Sequence, residues 1–217
     1  TDFRNMDVLT MVPIFMKDLL GIINRGVVFE MIFGYVSWLN SENQTGDLFL
    51  ATVKFTFLKI LTNYKYYIPL NVPKAISISR SNVSEIVQKF WKKHFFAGLI
   101  VKEVRAGLLQ KQRIREQSIA LLKDLLHSHD IDARFSKPIE KSRIIGLYFP
   151  FVITAVEYQT LLQDLTKEEK INWLICFFYI VENCSRELLH QWWDACDPKQ
   201  NVVFFKLLGM VSENFEE

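Results

Sequence analysis

The chain has 217 residues, a formal net charge of +2, a half-hydrophobic composition with 23% charged residues, and a mean hydropathy of +0.10. That length holds one large core or a row of smaller ones, and near-neutrality argues against a nucleic-acid binder or a surface built for an acidic partner. Eight Gly and six Pro leave little room for a turn-rich β fold, whereas eighteen Phe and five Trp point to stacked helices buried on both faces.

A first helix is predicted over 7–20, with Val12, Phe15, Met16 and Leu19 on one face, Pro13 disturbing it and Gly21 ending it. A second, over 27–40, carries Val28, Met31, Ile32, Tyr35 and Leu39, and a polar loop follows at 41–46. The β-branched and aromatic content of 48–61 suits a strand, but its length and the spacing of Phe49, Val53, Phe57, Ile60 and Leu61 favour a helix. Residues 64–73, aromatic and proline-bounded, read as an extended connector, and 74–84, Ser-rich with Asn82, as a mobile loop.

The most informative stretch is 88–150. Phe90, Trp91, Phe95, Leu99, Val104 and Leu108 mark one face of a long helix that includes His94, with Lys92, Lys93, Lys102, Glu103 and Arg105 on the other. Ile114, Ile119, Leu122, Leu125 and Leu126 mark a second helix. Pro138 biases Lys137 away from the helical region and suits a first helical turn, and Pro150 should kink or split the apolar run 144–156. Beyond a connector at 159–166, Thr166 and Glu169 resemble a capping box for a helix over 167–183. A short helix at 187–196 holds Trp192 and Trp193, and Asp197-Pro198 opens the last one.

Within this stretch and just before it, four segments occur in a fixed order: Tyr67 to Asn71 (YIPLN), His94 to Val104 (HFFAGLIVKEV), Leu122 to Phe135, and Arg143 to Pro150 (RIIGLYFP). This order resembles the central helical region of the DOCK family, the large atypical exchange factors for Rho-family GTPases, closely over roughly a third of the chain and loosely near its end. The resemblance implies an armadillo-like segment with no catalytic site of its own, in a parent protein that exchanges GDP for GTP through a separate domain.

Individual residues also suggest chemistry. His94, His129-Asp130 and Asp194 follow the H…HD…D order of all-helical, metal-dependent phosphohydrolases, in which a divalent metal makes hydroxide from bound water. The plainer explanation places His127 and His129 at a helix end, where a cation complements the dipole, and Asp130 and Asp132 in the turn that follows. A basic cluster of Lys89, Lys92, Lys93, Lys102, Arg105, Lys111, Arg113 and Arg115 is diluted by Glu85, Glu103 and Glu116, so it reads as a solvated face with at most weak anionic-lipid contact. Trp192 and Trp193 are candidate partner anchors, one of them in the core. Cys176, Cys184 and Cys196 lack C-x-x-C spacing and fit buried thiols in a reducing compartment.

The expectation is an all-α, armadillo/HEAT-like solenoid of about nine helices. Helix pairs recur at roughly 35 to 45 residues without a residue-level repeat. Residues 1–217 form a single domain, a fragment of a larger protein, with no cofactor and no metal. Its function is that of a non-catalytic scaffold; the alternatives are the phosphohydrolase or an unrelated HEAT-type adaptor. Expected partners are flanking domains of the same protein, adaptor proteins or a second copy, with a Rho-family GTPase engaged through the parent and no nucleic acid. Trp192, Trp193, Lys92 and Lys93 are the candidate contact residues. No segment resembles a signal peptide or reaches the roughly 20 apolar residues of a membrane helix, so the expected location is the cytoplasm, with recruitment to the plasma membrane.

Overall fold

The structure, a computed structural model, describes residues 3–43, 46–71 and 94–215. The predicted loop at 74–84 and residues 88–93 of the predicted long helix, including Lys92 and Lys93, lie outside them. Among the described residues there is no strand. The described residues form eleven α-helices: α1 (Phe3–Leu19), α2 (Arg25–Glu42), α3 (Leu48–Thr62), α4 (Tyr67–Asn71), α5 (Phe95–Leu108), α6 (Gln112–Asp130), α7 (Pro138–Ile145), α8 (Phe149–Glu157), α9 (Lys167–Asn183), α10 (Arg186–Ala195) and α11 (Pro198–Phe215). Short 3-10 turns at Ala133–Phe135, Gly146–Tyr148 and Gln159–Gln163 join several of them.

Local chemistry explains most of the boundaries. Asp47 accepts the Phe49 and Leu50 amides and starts α3. Thr166 and Glu169 form the predicted capping box, each side chain accepting the other's backbone amide at 3.2 and 2.8 Å. Ser185 accepts from the Leu188 amide at 3.1 Å to open α10. Pro138 occupies the first turn of α7, and the predicted break at Pro150 appears as the 3-10 turn that separates α7 from α8.

Two expectations are corrected. Residues 67–71 are a helix, not extended chain. Pro69 sits in its first turn, where no backbone donor is required, and the Leu70 amide still reaches Tyr66 O at 3.1 Å. His94 is not helical but stands just outside α5 as its N-cap, with φ −127° and ψ 77°.

The helices stack as a solenoid. α1 and α2 pack on α3; α5 and α6 form the most extensive pair; α3, α6 and α9 lie side by side; α8 and α11 pack against α9. A continuous apolar core runs from Met16 to Val211. An ion pair between α3 and α5 lies within it. Lys54 of α3 donates to Glu103 of α5 at 2.8 Å and to Asn40 Oδ1 of α2 at 2.8 Å, while Asn40 Nδ2 donates back to Glu103 at 3.1 Å. Glu103, assigned to a polar face by its spacing, is therefore buried. Three mutually bonded polar groups avoid the several kcal/mol that an unpaired buried charge costs, and they set the register of three helices.

The α5–α6 contact is close enough to require glycine. A Cβ on Gly107 would lie 2.6 Å from Ser118 Cβ and 3.1 Å from the Phe55 ring, whereas one on Gly209 of α11 meets nothing within 4 Å. Gly107→Ala should lower stability by about 1–3 kcal/mol through overpacking, and Gly209→Ala should raise it by up to ~1 kcal/mol through helix propensity. Urea-unfolding midpoints measure both; a stabilised Gly107→Ala would contradict the packing described.

Candidate functional site

The four segments that resemble the DOCK family meet in the core. Asn71, 1% exposed at the end of α4, accepts the Ala97 amide on Oδ1 at 2.8 Å and donates from Nδ2 to Tyr67 O at 2.7 Å. Ala97 is the third residue of α5, one of the orphan donors of a helix start, so the cap that His94 does not supply comes from a residue 26 positions earlier. The Asn71 carbonyl is itself bonded to the His94 ring through Nδ1. On the other side, His129 Nε2 is hydrogen-bonded to Tyr148 Oη at 2.8 Å, and Tyr148 donates to Tyr67 Oη at 3.3 Å. The rings of Tyr67 and His129 stack at 5.9 Å.

Burial sets the protonation of this node. Desolvation lowers the His129 pKa to about 4, against an ordinary value near 6.5, and it pushes the Tyr67 and Tyr148 hydroxyls well above the usual phenol range. Between pH 5 and 8 the node is thus one neutral imidazole and two protonated phenols. It offers hydrogen-bonded packing and no nucleophile.

The phosphohydrolase residues do not converge. His94 and His129 are turned to Asn71 and Tyr148. Asp130 lies at the surface, where Lys141 at 2.7 Å and Tyr179 at 2.8 Å bond its carboxylate and hold its pKa below the ordinary value; Asp194 is exposed on α10. Among the described residues no group of three or more His, Cys, Asp or Glu is placed to hold a metal. Burial raises the Cys176 thiol to about 12 and those of Cys184 and Cys196 to about 11, which suppresses thiolate reactivity.

Three members of the basic cluster have local partners. Arg105 meets Glu157 at 3.1 Å and Tyr158 Oη at 3.0 Å. Arg115 clamps Glu169 at 2.7 Å and joins α6 to α9. Lys102 lies over the Phe33 ring. Trp192 is 1% exposed, tilted on Phe204 and edge-on to Phe149, so it is the member of the pair that lies in the core. Trp193 is half-buried, edge-on to the exposed Phe205 at 5.2 Å.

Two concave features lie along α3, α6 and α9. A groove of ≈ 410 Å³ between α6 and α9 is lined by Leu126, Ile175 and Cys176 together with Lys123, Asp130 and Tyr179. A shallower one of ≈ 180 Å³ lies between α3 and α6, beside Thr52, Gln117 and Lys59. Lys59 pairs with Asp124 across it at 2.7 Å. Periodicity marked these helices, but the grooves depend on which helices become neighbours, a relation no local pattern carries.

A family model described as "DOCK6-11, TPR domain" matches residues 6–62, the stretch of α1 to α3. Dedicator of cytokinesis protein 9 of Mus musculus is 31% identical over 152 residues, which cover 66% of this chain and 7% of that protein. Dedicator of cytokinesis protein 11 of Danio rerio is 29% identical over 174 residues, 70% of this chain and 8% of its own. Dedicator of cytokinesis protein 8 of Homo sapiens is 28% identical over 180 residues, again 70% and 8%. The chain spans less than a tenth of the length of each of these relatives. No solved structure matches.

His129 makes the node acid-sensitive. Between its lowered pKa and the ordinary one, the unfolded chain binds a proton that the folded chain does not. This contribution is therefore fully present above pH 6.5 and is lost as the pH falls toward 4, by up to about 3 kcal/mol. His129→Gln retains a donor to Tyr148 and cannot titrate, so its stability should decline less steeply over that window. Denaturant titrations at several pH values measure the two slopes, and parallel curves would contradict the burial of a neutral imidazole.

Proposed function

The chain belongs to the DOCK family, and from that premise we propose that it is a non-catalytic helical scaffold of a Rho-family guanine nucleotide exchange factor. The exchange reaction belongs to a separate domain of the parent protein. This segment holds flanking domains at a set distance and presents its surface to them or to adaptor proteins. Solenoids suit that task because binding is spread across several helices instead of being confined to one pocket.

One observation carries the proposal: the residues that most resemble the family are spent on one another in the core, at Asn71, Tyr67, His129 and Tyr148. Their chemistry is that of a joint between helices. The line of α3, α6 and α9, with its two grooves and mixed charge, supplies a contact surface. Trp193 with Phe205 supplies an aromatic anchor of the kind enriched at hot spots, and Lys92 and Lys93 supply weak attraction to anionic lipid. Among the described residues no helix is long and apolar enough to cross a membrane, which accords with a cytoplasmic location and recruitment to the plasma membrane through other domains.

Release of a fluorescent GDP analogue from a Rho-family GTPase tests the proposal. The 217-residue chain should leave the intrinsic rate unchanged. Saturable acceleration by this chain alone would overturn it.

A further inference from the structure

One end of the helical stack is made of turns that carry exposed isoleucines. There α1 ends and α2 begins, α3 ends and α4 begins, and α6 ends and α7 begins. The three turns adjoin one another. A Cβ on Gly21 would lie 3.9 Å from Tyr64 Oη, and Arg134 Nη1 donates to Lys65 O at 3.0 Å. On these turns Ile22 is 76% exposed, Ile131 68% and Ile139 77%, and Tyr66 is 48% exposed. A single isoleucine in water needs no explanation. Three on adjoining turns do, because turns are where small and polar residues are favoured.

Basic side chains accompany them. Residues 17–25, 63–66 and 130–143 hold seven Lys or Arg against four Asp or Glu, an excess of three in a chain whose total is +2. This end thus carries more net positive charge than the molecule as a whole. Asp132 holds Arg134 at 2.6 Å and Asp130 holds Lys141 at 2.7 Å, and Asp18 and Glu140 temper the field further. Arg25, Lys65 and Lys137 are exposed, with Lys65 Nζ over the Tyr66 ring. Because helix ends and helix starts alternate along this edge, their dipoles oppose each other and the side chains decide the potential.

We propose that this end of the stack rests on an anionic lipid surface. Ile22, Ile131 and Ile139 enter the headgroup layer, and Arg25, Lys65 and Lys137 meet lipid phosphates. The lysines favour a bilayer over a folded protein partner. Lys is depleted from protein interfaces, whereas its apolar stem and charged tip suit a membrane surface, and tyrosine favours the same depth. Such a contact is weak by itself, since stable anchoring takes a second signal. Its effect is to orient the segment on a membrane reached through other domains. The inference does not depend on the scaffold reading, and it makes no use of Lys92 or Lys93.

Cosedimentation of the 217-residue chain with phosphatidylcholine vesicles, with and without phosphatidylserine, at lipid concentrations up to millimolar tests it. The chain should bind the phosphatidylserine vesicles, less so as salt is raised, and phosphatidylcholine alone far less. Lys65→Gln and Lys137→Gln should each weaken binding about fivefold, and Ile131→Asp and Ile139→Asp about tenfold each. All four side chains are exposed or lie on turns, so circular dichroism should show an unchanged fold. Phe205→Asp on α11, and Lys92→Gln combined with Lys93→Gln, should bind as the parent chain does. No binding at millimolar lipid would overturn the proposal and leave this end to a protein partner. Isoleucine variants that bind as well as the parent would overturn it by showing adsorption without insertion. Loss in the Phe205 or the Lys92/Lys93 variant, with binding kept in the four others, would overturn it by placing the contact elsewhere.

Discussion

Asn71 holds two halves of the stack together. It is the last residue of a five-residue helix, far too short to persist alone. Its side chain closes that helix by bonding Tyr67 O and starts the next by accepting the Ala97 amide. Tyr67 is in turn fixed through Tyr148 to His129 at the end of α6. Four elements distant in sequence therefore share one buried hydrogen-bonded chain. In a site this dry, every donor left without its acceptor costs its full desolvation penalty.

The buried Lys54–Glu103 pair, bonded to the exposed Asn40, does similar work at the N-terminal end, and Arg115–Glu169 does so between α6 and α9. Glu169 is used twice, as the reciprocal residue of a capping box and as the partner of an arginine on the neighbouring helix. Apolar faces make the helices stack, but they are forgiving about register. The polar joints select one register from several.

Much of this was legible in the sequence wherever the signal is local. Helical periodicity located α2, α3, α6 and α9; Thr166 with Glu169 marked a start; Pro138 and Pro150 marked a start and a break. Relations between distant residues were not legible. Pro69 hid α4 because a proline in a first turn looks the same as one in extended chain. Glu103 looked solvated because its partners, Lys54 and Asn40, are 49 and 63 residues away. His94 looked helical because nothing nearby announced that Asn71 would cap α5. The same limit applied to the candidate site. The family-like segments could be recognised from their order, but their role as a joint required the contacts. The doublet Trp192-Trp193 gave no sign of which ring faces the core.

The most direct measurement is hydrogen exchange by mass spectrometry on Asn71→Ala beside the parent chain. If Asn71 is the joint between α4, α5 and the 146–148 turn, its loss should cost about 2–4 kcal/mol and speed exchange in all three places, at the first turn of α5 and around Tyr148 as well as in α4. Faster exchange confined to α4, with α5 and residues 146–148 as protected as before, would contradict it.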